Sequence, residues 1–129
     1  MNILDENVLE DQRRSLRNWR VPFRQIGYEV GWKGMQDDEI ISFLPGLRQP
    51  TLFTLDRDFY KRDLCHARYS LVYLYVKQSE GAIFVRRVLG HRALDTKAKR
   101  MGTVVRTSHT RLVVWLLHAE QEIYLGWDD

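Results

Sequence analysis

The sequence predicts an α/β protein built on a mostly parallel central sheet. Short apolar segments of strand length alternate with longer segments whose apolar residues have helical spacing. The chain has 129 residues, of which 44% are apolar and 29% charged, as is typical of a folded domain. No internal repeat or linker divides it, so residues 1–129 are predicted to form a single domain.

The first half of the chain is predicted to supply three strands and two helices. Pro22 ends the first helix, because proline cannot continue a helix. Asp37 is a good N-cap for the second helix, and Pro45 and Gly46 stop it. The predicted elements are a strand at 1–4, a helix at 6–20, a strand in YEVGW at 28–32, a helix from Asp37 and a strand at 51–55.

The second half begins with one more strand and helix and then changes character. The predicted elements are a strand at 69–76, a helix at 79–94, a polar basic link at 95–100 and two strands in GTVVRT and TRLVVWLLH. The last two are expected to form an antiparallel hairpin across Ser108 to Thr110. The tail EIYLGWDD is interpreted as an added edge strand or a surface segment.

Charge and composition limit the classes of function. The net charge of +3 and the pI of 9.2 permit nucleic-acid binding without requiring it. The single cysteine, Cys65, excludes an internal disulfide. No signal peptide and no uncharged run of membrane-spanning length is visible, so we expect a soluble, cytoplasmic protein.

Carboxylates follow the predicted strands at the points where they end. Because ligands of parallel α/β sheets sit beyond the carboxyl ends of the strands, these acids are expected to meet at one edge. They are Asp5 after the first strand, Asp37, Asp38 and Glu39 at the start of the helix after the second, and Asp56 and Asp58 after the third.

Gathered carboxylates repel one another unless some are protonated or a cation compensates them. Ligands that are all oxygen suit Mg²⁺ or Mn²⁺ better than zinc. An ion held in this way activates water for attack on phosphate, so the pattern points to phosphodiester hydrolysis. A structural interpretation stays open, because Asp-x-Asp is common in turns and Asp37 can act as a helix cap.

The order of these motifs resembles PIN-like domains of the DUF5615 family, which is related to VapC-type toxin ribonucleases and to the Mut7-C group. The motifs that carry the resemblance are LDEN, GYEV, DDEII and FTLDRDF, all within residues 1–76. The resemblance implies a PIN-like three-layer α/β/α fold and a Mg²⁺- or Mn²⁺-dependent endoribonuclease. It also implies that RNA is the substrate and that the chain is the toxin of a toxin–antitoxin pair with an antitoxin partner.

The resemblance also implies roles for individual residues. Asp5, Glu39, Asp56 and Asp58 match the catalytic acids, Asp37 joins them as a metal ligand, and Thr54 supports the site. Which of Asp37, Asp38 and Glu39 reaches the metal depends on where the helix begins.

Basic and aromatic residues complete the predicted site. Arg57, Lys97, Lys99 and Arg100 are candidates for contacts with the RNA backbone. The arginine-rich first helix, which includes Arg13, Arg14 and Arg17, is interpreted as a solvated face. The aromatic residues Tyr69, Tyr73, Tyr75 and Trp115 are expected to serve packing or to face the second subunit of a homodimer.

Two other classes of function stay open. The acids in ILDEN and TLD also resemble those of a phospho-accepting receiver domain, for which Lys77 after the fourth strand would be the discriminating lysine. The same fold can also serve as a binding module for RNA or an antitoxin without turnover.

Overall fold

The computed structural model describes residues 1–128. The strands are β1 (Asn2–Leu4), β2 (Arg24–Gln25), β3 (Thr51–Thr54), β4 (Ser70–Leu74), β5 (Thr103–Thr107), β6 (Arg111–Leu116) and β7 (Ile123–Gly126). The helices are α1 (Glu10–Asn18), α2 (Asp37–Phe43), α3 (Gly81–Gly90) and α4 (Lys97–Arg100). Short 3₁₀ turns lie at Leu44–Gly46, Arg57–Phe59, Arg62–Leu64 and Gln78–Glu80.

The strands form a seven-stranded sheet in the order β2-β1-β3-β4-β5-β6-β7. Strands β1 to β5 are parallel to their neighbours, whereas β6 and β7 are antiparallel. The predicted mostly parallel α/β sheet with antiparallel C-terminal strands is therefore confirmed. The hairpin across Ser108 to Thr110 and the edge strand near the C-terminus are confirmed as well.

Helices pack on both faces of the sheet, which gives three layers. Successive strand residues point to opposite faces, so neighbours such as Leu52 and Phe53 belong to different apolar clusters. One cluster joins α1 and α3 to the sheet through Leu16, Phe84, Val88, Phe53, Val72 and Val105. The other joins α2 to the opposite face through Ile40, Leu44, Leu52, Leu71 and Val104.

The prediction for the second strand is wrong. It lies at Arg24–Gln25, and the YEVGW segment folds back on itself. The amides of Tyr28, Glu29 and Val30 all donate to the Gln25 carbonyl oxygen. Gly27 has a φ of +84°, which glycine adopts without strain and which turns the chain away from an extended path.

Several helix bounds differ from the predicted ones. Helix α1 starts four residues late, because Val8 N donates to the Asp5 carbonyl oxygen in a tight turn first. The predicted link at 95–100 contains helix α4, whose N-cap Thr96 accepts from Lys99 N through its hydroxyl. No helix within residues 1–128 is long and apolar enough to cross a membrane.

Arg13 is buried, so the solvated interpretation of the α1 arginines is wrong for it. Its guanidinium donates to Gln25 Oε1 at 2.6 Å and to Glu29 Oε2 at 3.0 Å. Gln25 Nε2 in turn donates to the carbonyl oxygens of Asp5 and Val8, both at 2.9 Å. This network fixes the segment that follows β1, and with it the backbone at Asp5.

Candidate metal centre at the carboxyl edge of the sheet

The predicted acids lie where the strand order of the sheet reverses. Strand β1 is flanked by β2 on one side and β3 on the other, so the crossovers leave β1 and β3 in opposite directions. Such a reversal opens a crevice beyond the carboxyl ends of the two strands, the usual ligand site in open α/β sheets. Asp5 directly follows β1, and Asp56 follows β3 after one residue.

Asp56 and Asp58 are held by a short 3₁₀ turn. The Asp56 side chain is the N-cap of this turn, and its Oδ1 accepts from Asp58 N at 2.9 Å. The interpretation of Asp-x-Asp as a turn motif is therefore confirmed. The same turn brings the two carboxylates together, so the role of Asp56 in the turn is compatible with metal binding.

Thr54 connects Asp5 to Asp56. The threonine is fully buried, and its hydroxyl donates to Asp5 Oδ2 at 2.6 Å while accepting from Asp56 N at 3.0 Å. Asp5 itself is 9% exposed, and its backbone N donates to the Phe53 carbonyl oxygen. One hydroxyl thus fixes the position of the buried carboxylate relative to the strand end that carries Asp56.

Asp37 reaches the same edge from the first turn of α2. One carboxylate oxygen from each of Asp37, Asp56 and Asp58 lies within 4.8 Å of the others, an arrangement that can hold a metal ion. The pKa of Asp37 is raised, first by burial and then by the negative charges of Asp56, Asp58 and Asp5. The Lys61 ammonium opposes this shift of the pKa without cancelling it.

The chemistry of the donor groups limits which ions suit the cluster. All three groups are carboxylates, and hard divalent cations take oxygen ligands of this type. The ligands are exposed or half-buried, so a cation bound there keeps part of its water shell. The structure therefore provides an acidic cluster that can hold a metal ion.

Glu39 is not brought into the cluster. Helix α2 begins at Asp37, but its N-cap is Gln36 and not Asp37 as predicted. In this register Glu39 occupies the third helical position, and its Oε1 accepts from Gln36 N at 2.9 Å. Glu39 also lines a separate cleft together with Asp38, Trp32 and Phe43. The sequence signal for this outcome is the spacing of Gln36 and Glu39, which is that of a capping box.

The basic residues at 97–100 lie at the amino ends of the parallel strands, opposite the carboxyl ends where the acids lie. They precede β5, whereas the acids follow β1 and β3. Arg100 is only 3% exposed and donates to Thr51 Oγ1 at 2.9 Å and to the Leu94 carbonyl oxygen at 2.8 Å. Lys99 is paired with Asp95 at 2.8 Å. The RNA-binding prediction is thus wrong for Arg100, and Lys97 and Lys99 cannot act beside the acids.

Arg57 does lie beside the acids, together with two cations that were not predicted as site residues, Lys61 and Arg106. It is exposed and lines a cavity of about 470 Å³ with Asp58, Lys61 and Arg106. Arg106 is the charged residue in β5, whose sequence is TVVRT. A charge within a strand is the sequence signal that this side chain reaches solvent. Tyr60, Tyr73 and Tyr75 complete the lining.

Asp37→Asn is expected to raise the thermal midpoint in EDTA and to weaken stabilisation by Mn²⁺. The raised pKa means that the folded chain binds this proton more tightly than the unfolded chain. Stability therefore falls as pH rises through the range of this pKa, and removing the charge removes that loss. The gain is below about 1 kcal/mol because water screens exposed carboxylates.

In Mn²⁺ the parent should have the higher thermal midpoint, whereas in EDTA Asp37→Asn should have it. An ion present at 100 times its Kd stabilises the folded protein by about 2.7 kcal/mol. The variant lacks one of the carboxylates that would bind the ion, so it should gain less. Thermal melts in EDTA and in Mn²⁺ measure both effects, with Asp38→Asn as the matched neighbouring control. An equal Mn²⁺-induced rise in the parent and in Asp37→Asn would contradict a ligand role for Asp37.

Comparison of the chain with protein-family models, with curated proteins and with solved structures finds no match. The resemblance to PIN-like domains therefore stays a prediction.

Proposed function

We propose that the protein is a Mg²⁺- or Mn²⁺-dependent endoribonuclease. The observation that carries the proposal is the meeting of Asp37, Asp56 and Asp58 within 4.8 Å at the point where the strand order reverses. Buried Asp5 lies close enough to raise the pKa of Asp37 and is tied to Asp56 through Thr54. Four acids from three chain segments at one crevice repel one another, and a bound cation would compensate their charge.

Each residue has a distinct role in the proposed site. Asp37, Asp56 and Asp58 would hold the ion, as predicted for all three, whereas Glu39 would not. Thr54 positions Asp5, whose charge adds to the field at the ligands. A bound Mg²⁺ or Mn²⁺ supplies positive charge against phosphate oxygens and lowers the pKa of a coordinated water.

The surroundings of the acids favour a phosphodiester substrate. Carboxylates alone repel phosphate, but Arg57 and Lys61 line the same cavity as Asp58 and place positive charge next to it. Such cations attract a polyanionic backbone in a salt-dependent way. The resemblance to PIN-like ribonucleases specifies RNA, and it also suggests an antitoxin partner and a homodimer.

Cleavage of labelled RNA by the purified protein tests the proposal. Single-stranded RNA and transfer RNA are incubated with the protein in Mn²⁺, in Mg²⁺ and in EDTA. We expect fragments with at least one of the two ions and none in EDTA. Cleavage that persists in EDTA, or intact RNA under every condition, would refute a metal-dependent nuclease.

A second candidate is a phospho-accepting domain. The strand order 2-1-3-4-5 of the parallel part is also that of flavodoxin-like and receiver folds. Fold alone does not assign function, and the predicted discriminator, Lys77, lines a neighbouring cavity with His109 and Arg111. Incubation with a small phosphodonor and Mg²⁺ separates the two candidates. A stoichiometric gain of one phosphoryl group by intact mass, lost in Asp56→Asn, would favour the receiver interpretation.

A further inference from the structure

A trough of tyrosines and cations continues from the acidic cluster along the carboxyl edge of the sheet. We call it the tyrosine trough and define it by Arg57, Lys61, Tyr73, Tyr75, Lys77 and Arg106. Two cavities of about 470 and 660 Å³ share Tyr75 and Arg106 in their linings, so the trough is continuous from Asp58 to the β5–β6 hairpin.

The sheet register places the trough next to the acids. Tyr73 on β4 pairs with Thr54 on β3 and with Arg106 on β5. Residues paired in this way project from the same face, and adjacent strands are about 4.8 Å apart. The Thr54 that positions Asp5 is therefore one strand from a tyrosine and two strands from an arginine.

Two tyrosine rings form the centre of the trough. The rings of Tyr73 and Tyr75 are stacked, with their centroids 6.1 Å apart and their planes at 26°. Tyr75 is 63% exposed. The pKa of Tyr73 is raised, first by burial and then by Tyr75. The charges of Arg57 and Arg106 oppose this rise, and that of Asp56 adds to it. The ring pair thus lies beside charged groups of both signs, and the Tyr75 ring is open to solvent.

The cations of the trough are available for an anionic ligand. Within residues 1–128, no carboxylate lies within ion-pair distance of Arg57, Lys61, Lys77 or Arg106. The Arg106 guanidinium lies 5.4 Å from the centre of the Tyr60 ring.

We propose that the tyrosine trough binds a single-stranded polynucleotide, with a base stacked on Tyr75 and phosphates held by Arg106 and Arg57. This combination of exposed aromatic rings and unpaired cations is the chemistry that recognises single strands, because their bases are free to stack. The inference deepens the proposed function and rests on it, since it assigns the path by which the substrate reaches the acids.

Equilibrium binding in EDTA tests the trough without any cleavage. The probe is a short fluorescein-labelled single-stranded RNA, followed by anisotropy, with a single-stranded DNA and an RNA duplex of matched length. Tyr75→Ala is expected to raise the Kd about tenfold and Tyr75→Phe to leave it nearly unchanged, since stacking needs the ring and not the hydroxyl. Arg106→Gln should reduce the slope of log K against log salt by about one.

Tyr28→Ala is the matched control. Tyr28 is 57% exposed but lies on the turn after β2, outside the trough. Equal binding by the parent, Tyr75→Ala and Tyr28→Ala would overturn the trough, as would a duplex that binds as tightly as the single strand.

The outcomes also separate the trough from the nuclease. Binding that depends on Tyr75, together with intact RNA in Mn²⁺, would support the trough and refute the proposed function. Metal-dependent cleavage with a Kd and rate that are unchanged in Tyr75→Ala would support the nuclease and overturn the trough.

Discussion

Asp56→Asn should lower the rate of metal-dependent RNA cleavage by more than about 100-fold while the protein stays folded. Loss of residues that merely orient metal ligands costs about 10- to 100-fold, and loss of a charged ligand should cost more. The fold is expected to survive because the Asn side-chain oxygen can still accept from Asp58 N, as Asp56 Oδ1 does. Single-turnover cleavage in Mn²⁺ and thermal melts in EDTA measure the two effects.

Glu39→Gln is the matched control for this experiment. Glu39 was predicted as a ligand, but its carboxylate accepts from Gln36 N, and a glutamine can do the same. We expect cleavage by this variant to stay within a factor of a few of the parent. A loss as large as that of Asp56→Asn would show that Glu39 takes part in the site after all. Unfolding of Asp56→Asn would instead assign Asp56 a structural role.

Arg100→Ala should lower the free energy of unfolding by about 2–4 kcal/mol. The substitution leaves Thr51 Oγ1 and the Leu94 carbonyl oxygen without their donors, at about 1–3 kcal/mol for each buried group. It also removes the packing of the buried side-chain stem. Part of the loss is offset, because burial lowers the pKa of Arg100 and so disfavours its charge. Denaturant unfolding measures the change.

Two further variants separate the contributions to this effect. Arg100→Met keeps most of the buried stem and should lose less stability than Arg100→Ala. Lys99→Ala removes an exposed ion pair with Asp95, which precedes α4, and should change the stability far less than Arg100→Ala does. If Arg100→Ala were as stable as the parent but bound RNA less tightly, the original RNA-binding prediction would be restored.

The sequence predicts the long buried strands because their apolar runs report burial directly. Strand β2 was missed because it has two polar residues and owes its place to pairing with β1. Its neighbour YEVGW has the right composition for a strand, but the hydrogen bonds to Gln25 fold it into a turn. A short edge strand is set by its partner, and no local pattern reports that.

The site was predictable where it depends on strand ends. The Asp5 carboxylate and the Asp56 backbone share the Thr54 hydroxyl because parallel strands end at one edge of the sheet, although Asp5, predicted as a ligand, lies outside the group of Asp37, Asp56 and Asp58. The choice between Asp37 and Glu39 was not predictable in the same way, since it depends on which residue caps α2. Residues two apart on a helix point in nearly opposite directions. Only one of the two can face the crevice. Glu39 accepts a hydrogen bond from Gln36 N at the start of the helix, and Asp37 faces the other acids.

The clustering of basic residues in the sequence did not predict which cations can contact a ligand. Arg100 stands in a basic cluster, yet its guanidinium is enclosed by Thr51 and Leu94. Arg106 stands alone in an apolar strand, yet it lines both cavities of the trough. Burial and pairing, which depend on distant segments, decide which cations can meet a ligand.

The pairing of β1 with β3 has a consequence for the order in which the chain folds. Asp5 and Thr54 are 49 residues apart, so the contact between them closes a long loop. Contacts of high sequence separation form slowly, because the entropy of the loop is lost before packing compensates for it. In an unfolded or partly synthesised chain the carboxylates are dispersed, and a divalent ion meets only isolated groups. The ligand set therefore exists only once the centre of the sheet has assembled.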